Sequence, residues 1–120
     1  MVLRTAAVAR AEAEAEQRET LAAVQRLAGR CRDELGATQV YLYGSRARDD
    51  WHMESDCDLM VLSDRFAGLK RWESWQLIEP LWDGPVALQP LGLTPDQFEN
   101  ARDRGGLVTM ALMDGVTALL

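Results

Sequence analysis

The sequence predicts a single α/β domain, a small sheet packed against helices. Three observations predict it. A proline-free, alanine-rich first third carries an apolar stripe at helical spacing. Two β-rich runs follow, and the second alternates strictly between faces. A third such run leads into Thr94-Pro95-Asp96-Gln97, a strong helix start. With 120 residues, the chain can bury one hydrophobic core and not two. Residues 1–120 are therefore expected to form one domain, with an N-terminal helix over 1–36 and a core over 37–120.

The first helix runs from Arg4 to Leu35, with Leu21, Val24, Leu27 or Ala28, Cys31 and Leu35 on one side and Gly36 as its C-cap. Upstream of Leu21 the stripe is mostly alanine, so that part of the helix either projects into solvent or meets a partner. Gln39 to Tyr43 reads as a strand with a sharp exit at Gly44, and Ser45 to about Trp51 as a short helix. In Ser55 to Leu62, alternation puts Asp56, Asp58, Met60 and Leu62 on one face and Cys57, Leu59 and Val61 on the other. Ser63-Asp64 offers an N-cap for a helix carrying Leu69, Trp72, Trp75 and Ile78, which Pro80 ends near Glu79. Asp83-Gly84-Pro85 is a turn, and Val86 to Leu91 a third strand, placed by Pro90 at an edge or strand end. The Thr-Pro helix extends to about Arg104. Val108 to Met113 form a last short helix, and Val116 to Leu120 a tail or strand.

Composition narrows the function classes. The chain is 48% hydrophobic and 27% charged with net charge −6, an ordinary balance for a globular protein. Such an acidic chain repels a phosphate backbone, which argues against general nucleic-acid binding. A single nucleotide carried with its own divalent cation remains compatible, because the metal supplies the positive field. Cys31 and Cys57 form no CxxC pair and read as reduced thiols. No run approaches the roughly 18 apolar residues of a membrane span, and early Glu12, Glu14 and Glu16 do not suit a secretory leader. A cytoplasmic protein is expected.

The chemistry concentrates in Gly44-Ser45-Arg46-Ala47-Arg48 and Ser55-Asp56-Cys57-Asp58-Leu59. A strand that enters glycine and then a helix start exposes backbone N–H groups to an anion. Ser45 adds a hydroxyl, and Arg46 and Arg48 add positive charge. Two aspartates at i and i+2 on a strand point the same way and repel unless a cation joins them. Oxygen ligands of this kind suit Mg²⁺, which binds through a few carboxylates plus substrate phosphates. Each half alone is a common loop feature. Two carboxylates at the head of the apolar strand Leu59-Met60-Val61-Leu62 are hard to explain by folding alone. An EF-hand lacks its glycine and terminal glutamate here.

These residues resemble the minimal nucleotidyltransferase (MNT) domains of the DNA polymerase β superfamily, firmly over Gln39 to Leu62 and more loosely at Leu93 to Phe98. The resemblance implies a polymerase β-type fold, a small mixed sheet with helices packed on one face and a nucleotide cleft on the other. It implies that Gly44 and Ser45 hold a nucleoside triphosphate such as ATP; Arg48 either meets the outer phosphates or pairs with Asp49, Asp50 or Glu54. Asp56 and Asp58 would be the catalytic carboxylates binding Mg²⁺ (or Mn²⁺). Many such domains are antitoxins paired with a HEPN-domain ribonuclease, and some transfer AMP onto that partner. A catalytically weak antitoxin acting by contact is the alternative reading. The chain departs from the pattern twice. Asp49 stands where glycine is usual, and the strand that usually carries a third carboxylate offers Leu88 and Gln89, with Asp83 too early. His52 reads as a solvated loop residue, Cys57 as a small core residue, and the four tryptophans as packing unless an exposed pair marks a partner surface.

Overall fold

The computed structural model describes residues 5–120. Its first element, helix α1 (Ala6–Leu35), is capped by the Thr5 side chain at one end and by left-handed Gly36 at the other. Burial begins only at Gln17, then takes in Thr20, Ala23, Val24, Leu27, Ala28, Cys31 and Leu35. Leu21 lies at the margin of this stripe and is 38% exposed. Thr20 turns inward in its place, with its hydroxyl donating to the Glu16 carbonyl at 2.8 Å. A 30-residue helix is about 45 Å long, more than the sheet can cover. Its alanine-rich start, from Ala6 to Ala11, is therefore largely exposed.

Strands β1 (Gln39–Tyr43), β2 (Cys57–Leu62), β3 (Leu88–Leu93) and β4 (Thr117–Ala118) form a mixed sheet in the order β3-β2-β1-β4. β1 runs antiparallel to both β2 and β4, whereas β2 and β3 are parallel. Pro90 therefore sits on an edge strand, where its missing N–H costs no sheet hydrogen bond. The tail expected after Val116 is the short strand β4.

The alternation in β2 divides the interior in two. Cys57, Leu59 and Val61 join Val40 and Leu42 under α1, Phe66 and Ile78. Met60 and Leu62 face the other way, with Tyr43, Leu91, Phe98, Val108 and Ala111. The second face is thus covered as well, by α4 (Pro95–Ala101) and α5 (Leu107–Asp114). Tyr41 stacks on Phe98 at 5.4 Å between ring centroids. This corrects the expectation that helices pack on one face only. Their apolar cover reaches Met60 but leaves Asp56 exposed and Asp58 half-buried at the head of the strand.

The segment after β2 also differs from expectation. Ser63 caps only a single 3₁₀ turn, Asp64–Phe66. Gly68 then adopts φ +75°, a conformation that ends a helix, and α3 (Arg71–Ile78) starts afresh. On α3, Ser74 and Ile78 turn inward and Trp72 is 57% exposed. Residues three apart lag a helical turn by about 60°, so the 72-75-78 spacing drifts off the core side. Pro80 ends α3 in a second 3₁₀ turn, Glu79–Leu81. The Thr94–Gln97 capping box forms as expected. No described helix is long and apolar enough to cross a membrane.

Gly92 fixes how closely α3 approaches β3. A Cβ there would lie 2.7 Å from Ser74 Cβ and 3.0 Å from a Phe66 ring carbon. Gly92→Ala is expected to destabilise the fold by about 1–3 kcal/mol, seen as a lower urea midpoint with an unchanged slope.

Candidate active site

The antiparallel register pairs Tyr43 with Asp58, which brings the residue after Tyr43 against the carboxylate. Gly44 adopts φ 75° and ψ −159°. A Cβ on Gly44 would lie 2.4 Å from Asp58 Oδ2. Both its backbone conformation and this contact require glycine. The chain then turns into α2 (Ser45–Arg48), where the Ala47 and Arg48 amides bond back to the Gly44 carbonyl. α2 is four residues long, shorter than the expected run to Trp51. Asp49 ends it in the left-handed conformation, φ 66°, which explains why glycine is usual here; aspartate is among the few other residues that tolerate it. So short a helix has little macrodipole. What it offers an anion is the first backbone amides and the Ser45 hydroxyl.

Asp58 lies on the β2 face that carries Met60, and Asp56 immediately precedes the strand. Burial and the neighbouring Asp56 charge raise the Asp58 carboxyl above its ordinary range, and Arg48 partly counters them. The pair is thus electrostatically short of a cation. Among the described residues no group of three or more His, Cys, Asp or Glu side chains is placed to hold a metal. The donor set is two carboxylates, a number that suits Mg²⁺ completed by other oxygen ligands rather than a closed protein cage.

Of the two candidates for the third acidic position, the structure selects one. Leu88 is buried opposite Cys57 in the α1-side core. Gln89 pairs with Asp58 in the parallel register, and its Nε2 donates to Asp56 Oδ2 at 3.4 Å. Of the two, the amide of Gln89 is therefore the one that meets the aspartates. Asp83 lies elsewhere, held by Arg26 and Arg30, each at 3.0 Å.

The two arginines of the motif part company. Arg46 was expected to add charge beside the turn, but it is 3% exposed and fully engaged inside. Its guanidinium donates to Gln17 at 2.7 Å, Glu16 at 2.9 Å and the Ser55 carbonyl at 2.8 and 3.1 Å. The Trp51 ring lies over it at 5.3 Å. Glu16 also accepts the Glu54 amide at 2.7 Å. Burial alone would push the Glu16 carboxyl up, but the hydrogen bonds from Arg46 and Glu54 outweigh it and hold Glu16 below its ordinary range. One side chain thus ties the phosphate-side turn, the loop before Asp56 and α1 together. Nothing in the spacing of Glu16 and Gln17, some thirty positions upstream, signals this; the aliphatic context of α1 only fixes which face they share.

Arg48 remains at the surface, paired with Asp50 at 3.2 Å and Asp114 at 3.7 Å. Exposed pairs of this kind contribute under about 1 kcal/mol, so its guanidinium is available to a more highly charged ligand. His52 is exposed and Cys57 buried, as expected. The Cys57 thiol, like that of Cys31, is pushed up to about 12, chiefly by burial. None of the four tryptophans is fully buried.

The family model described as a nucleotidyltransferase domain matches residues 24–101. Comparison with curated proteins finds no match. Among solved structures, a protein from Sulfolobus solfataricus provisionally described as a nucleotidyltransferase shares the fold, with a TM-score of 0.57 and 22% identity over 77% of this chain and 78% of that one.

Arg46→Met is expected to cost about 3–5 kcal/mol, because it strands Glu16 and the Ser55 carbonyl without their buried partner. Glu16→Gln supplies the pH test. Glu16 is lowered in the folded state, so its contribution is full above its unfolded value and lost as pH falls through its folded one. The stability gap between wild type and Glu16→Gln should close on acidification through that range. A gap unchanged by pH would show that the ion pair contributes nothing.

Proposed function

Since the chain belongs to the nucleotidyltransferase domain family, we propose that it binds ATP with Mg²⁺ (or Mn²⁺) at Gly44, Ser45, Arg48, Asp56 and Asp58 and transfers AMP to an acceptor. The observation that carries this reading is the Asp58 carboxylate seated against Gly44 Cα, half-buried and beside a second, like charge. Folding gains nothing from such a pair, whereas a bound cation would offset its repulsion.

In this reading the amides after Gly44 and the Ser45 hydroxyl cradle the triphosphate, and Arg48 leaves Asp50 and Asp114 to meet its outer phosphates. Asp56 and Asp58 would hold the ion, which would supply charge neutralisation and Lewis-acid polarisation at the phosphoryl group. Arg46 keeps the Ser55–Asp56 backbone at a fixed distance from the turn, so the two halves meet the ligand preorganised. Gln89 orients Asp56 but, being an amide, takes no proton. The acceptor proton then leaves to water, and transfer is slow relative to binding.

A second reading is favoured by two observations together. The third acid is Gln89, and α5 exposes Leu107, Met110 and Met113, the last at 82%. Such a face suits protein contact, in keeping with a weakly active antitoxin that neutralises a HEPN-domain partner. The two buried thiols are in keeping with a reduced, cytoplasmic setting.

Stability and ligand binding should move in opposite directions at Asp58. Asp58→Asn removes a carboxylate whose charged form is strained, so the free protein should melt higher than wild type at pH 7. ATP with Mg²⁺ at about 100 Kd should stabilise wild type by about 2.7 kcal/mol and leave Asp58→Asn unmoved. Transfer of α-phosphate label to a HEPN partner, absent in Asp56→Ala and Asp58→Ala, supports the enzyme. Partner binding that both substitutions leave intact, with no label transferred by wild type, establishes the contact reading instead.

A further inference from the structure

We infer that the cleft at the free edge of β3 is the acceptor subsite and that it selects an acceptor carrying a cationic group; this rests on the nucleotidyl-transfer reading above. The cleft measures about 490 Å³ and is lined by Trp75, Glu79, Trp82, Ala87, Leu88 and Gln89. Gln89 belongs to both places, since its Nε2 lies 3.4 Å from Asp56 Oδ2.

The order of the strands gives the direction of reaction. Gly44 ends β1, the carboxylates head β2, and Gln89 lies near the start of β3, the outermost strand. In-line displacement puts the attacking and leaving oxygens on opposite sides of the phosphorus. With the triphosphate over the β1 turn and the α-phosphorus at the carboxylates, attack comes from the β3 side. There a hydroxyl oxygen of the acceptor bonds to the α-phosphorus, the bond to pyrophosphate breaks with its electron pair leaving on pyrophosphate, and the hydroxyl proton passes to water.

The walls of the cleft say what it takes. The Trp82 indole is fixed by its Nε1 bond to the Val86 carbonyl at 2.8 Å and by Gly84 beneath the ring, where any Cβ would overlap it. Trp75 Nε1 donates to Glu79 Oε2. Glu79 Oε1 accepts no hydrogen bond, and no basic side chain pairs with Glu79, among the described residues. By contrast, Glu16 and Asp83 are each met by arginine. Two indoles lining a cleft beside a carboxylate that no basic side chain meets suit an ammonium or guanidinium, and the net charge of −6 reinforces the preference.

The test follows the four indole N–H signals and the backbone amides of the full chain by NMR. L-arginine amide should shift Trp75 and Trp82 and leave Trp51 in place, while uncharged L-citrulline amide should not shift them. Glu79→Gln should weaken arginine amide binding by about tenfold or more, and Asp56→Ala should retain it. ATP with Mg²⁺ reports separately on the Gly44 and Ser45 amides. If it shifts those amides while arginine amide leaves Trp75 and Trp82 unmoved, the subsite is overturned and nucleotide binding stands. If neither ligand binds, both readings fall. Stronger shifts of Trp75 and Trp82 with adenosine than with arginine amide would also overturn the assignment, because the cleft would then hold a base.

Discussion

Gly44 and Asp58 meet because β1 and β2 are antiparallel and in one particular register. Moving the register by a single residue would turn Asp58 into the α1-side core and Cys57 out toward the site. The register is held by both faces at once. Cys57, Leu59 and Val61 are committed to one core and Met60 and Leu62 to the other. An apolar strand buried on both sides therefore carries a charged head to a fixed place. The absence of a side chain on Gly44 lets the backbone turn come within contact of the carboxylate.

Around that contact the structure spends its polar interior on support. A buried arginine with its hydrogen bonds filled adds little net stability over an apolar packing of the same shape, yet it is costly to disrupt. Its value at position 46 lies in what it connects: α2, the Ser55 carbonyl next to Asp56, and the Glu16–Gln17 turn of α1. The long helix thus acts on the site at its middle, through Glu16 and Gln17, while its downstream half supplies core. The upstream alanine-rich turns do neither and stand in solvent.

The parts of the fold that were legible in the sequence are those set by local periodicity and capping. The alternation from Cys57 to Leu62, the Gly36 cap, the Thr94 capping box and the edge position of Pro90 all form as the residues suggest. What was not legible depends on partners distant in the chain. The inward turn of Arg46 needs Glu16 and Gln17, the choice of Gln89 over Leu88 needs the parallel register with β2, and the cover on the second face needs α4 and α5 to fold back. The helix expected from Ser63 failed for a local reason, because Gly68 takes a positive φ and the three-residue spacing of Trp72, Trp75 and Ile78 does not keep to one face. At the site, Gly44 lies against Asp58, whose carboxyl is raised by burial and by Asp56, with Arg48 close enough to counter them in part.

In the proposed reading, two carboxylates, a glycine turn and the amide of Gln89 form a site that binds a metal–nucleotide and turns it over slowly. That claim is reached most directly by paramagnetic broadening of backbone amides with Mn²⁺ and ATP. The account predicts broadening centred on Gly44, Ser45, Asp56 and Asp58, dependent on ATP and abolished in Asp56→Ala and Asp58→Ala. Broadening centred on another acidic patch, such as Glu12 and Glu14, or indifferent to both substitutions, would contradict it.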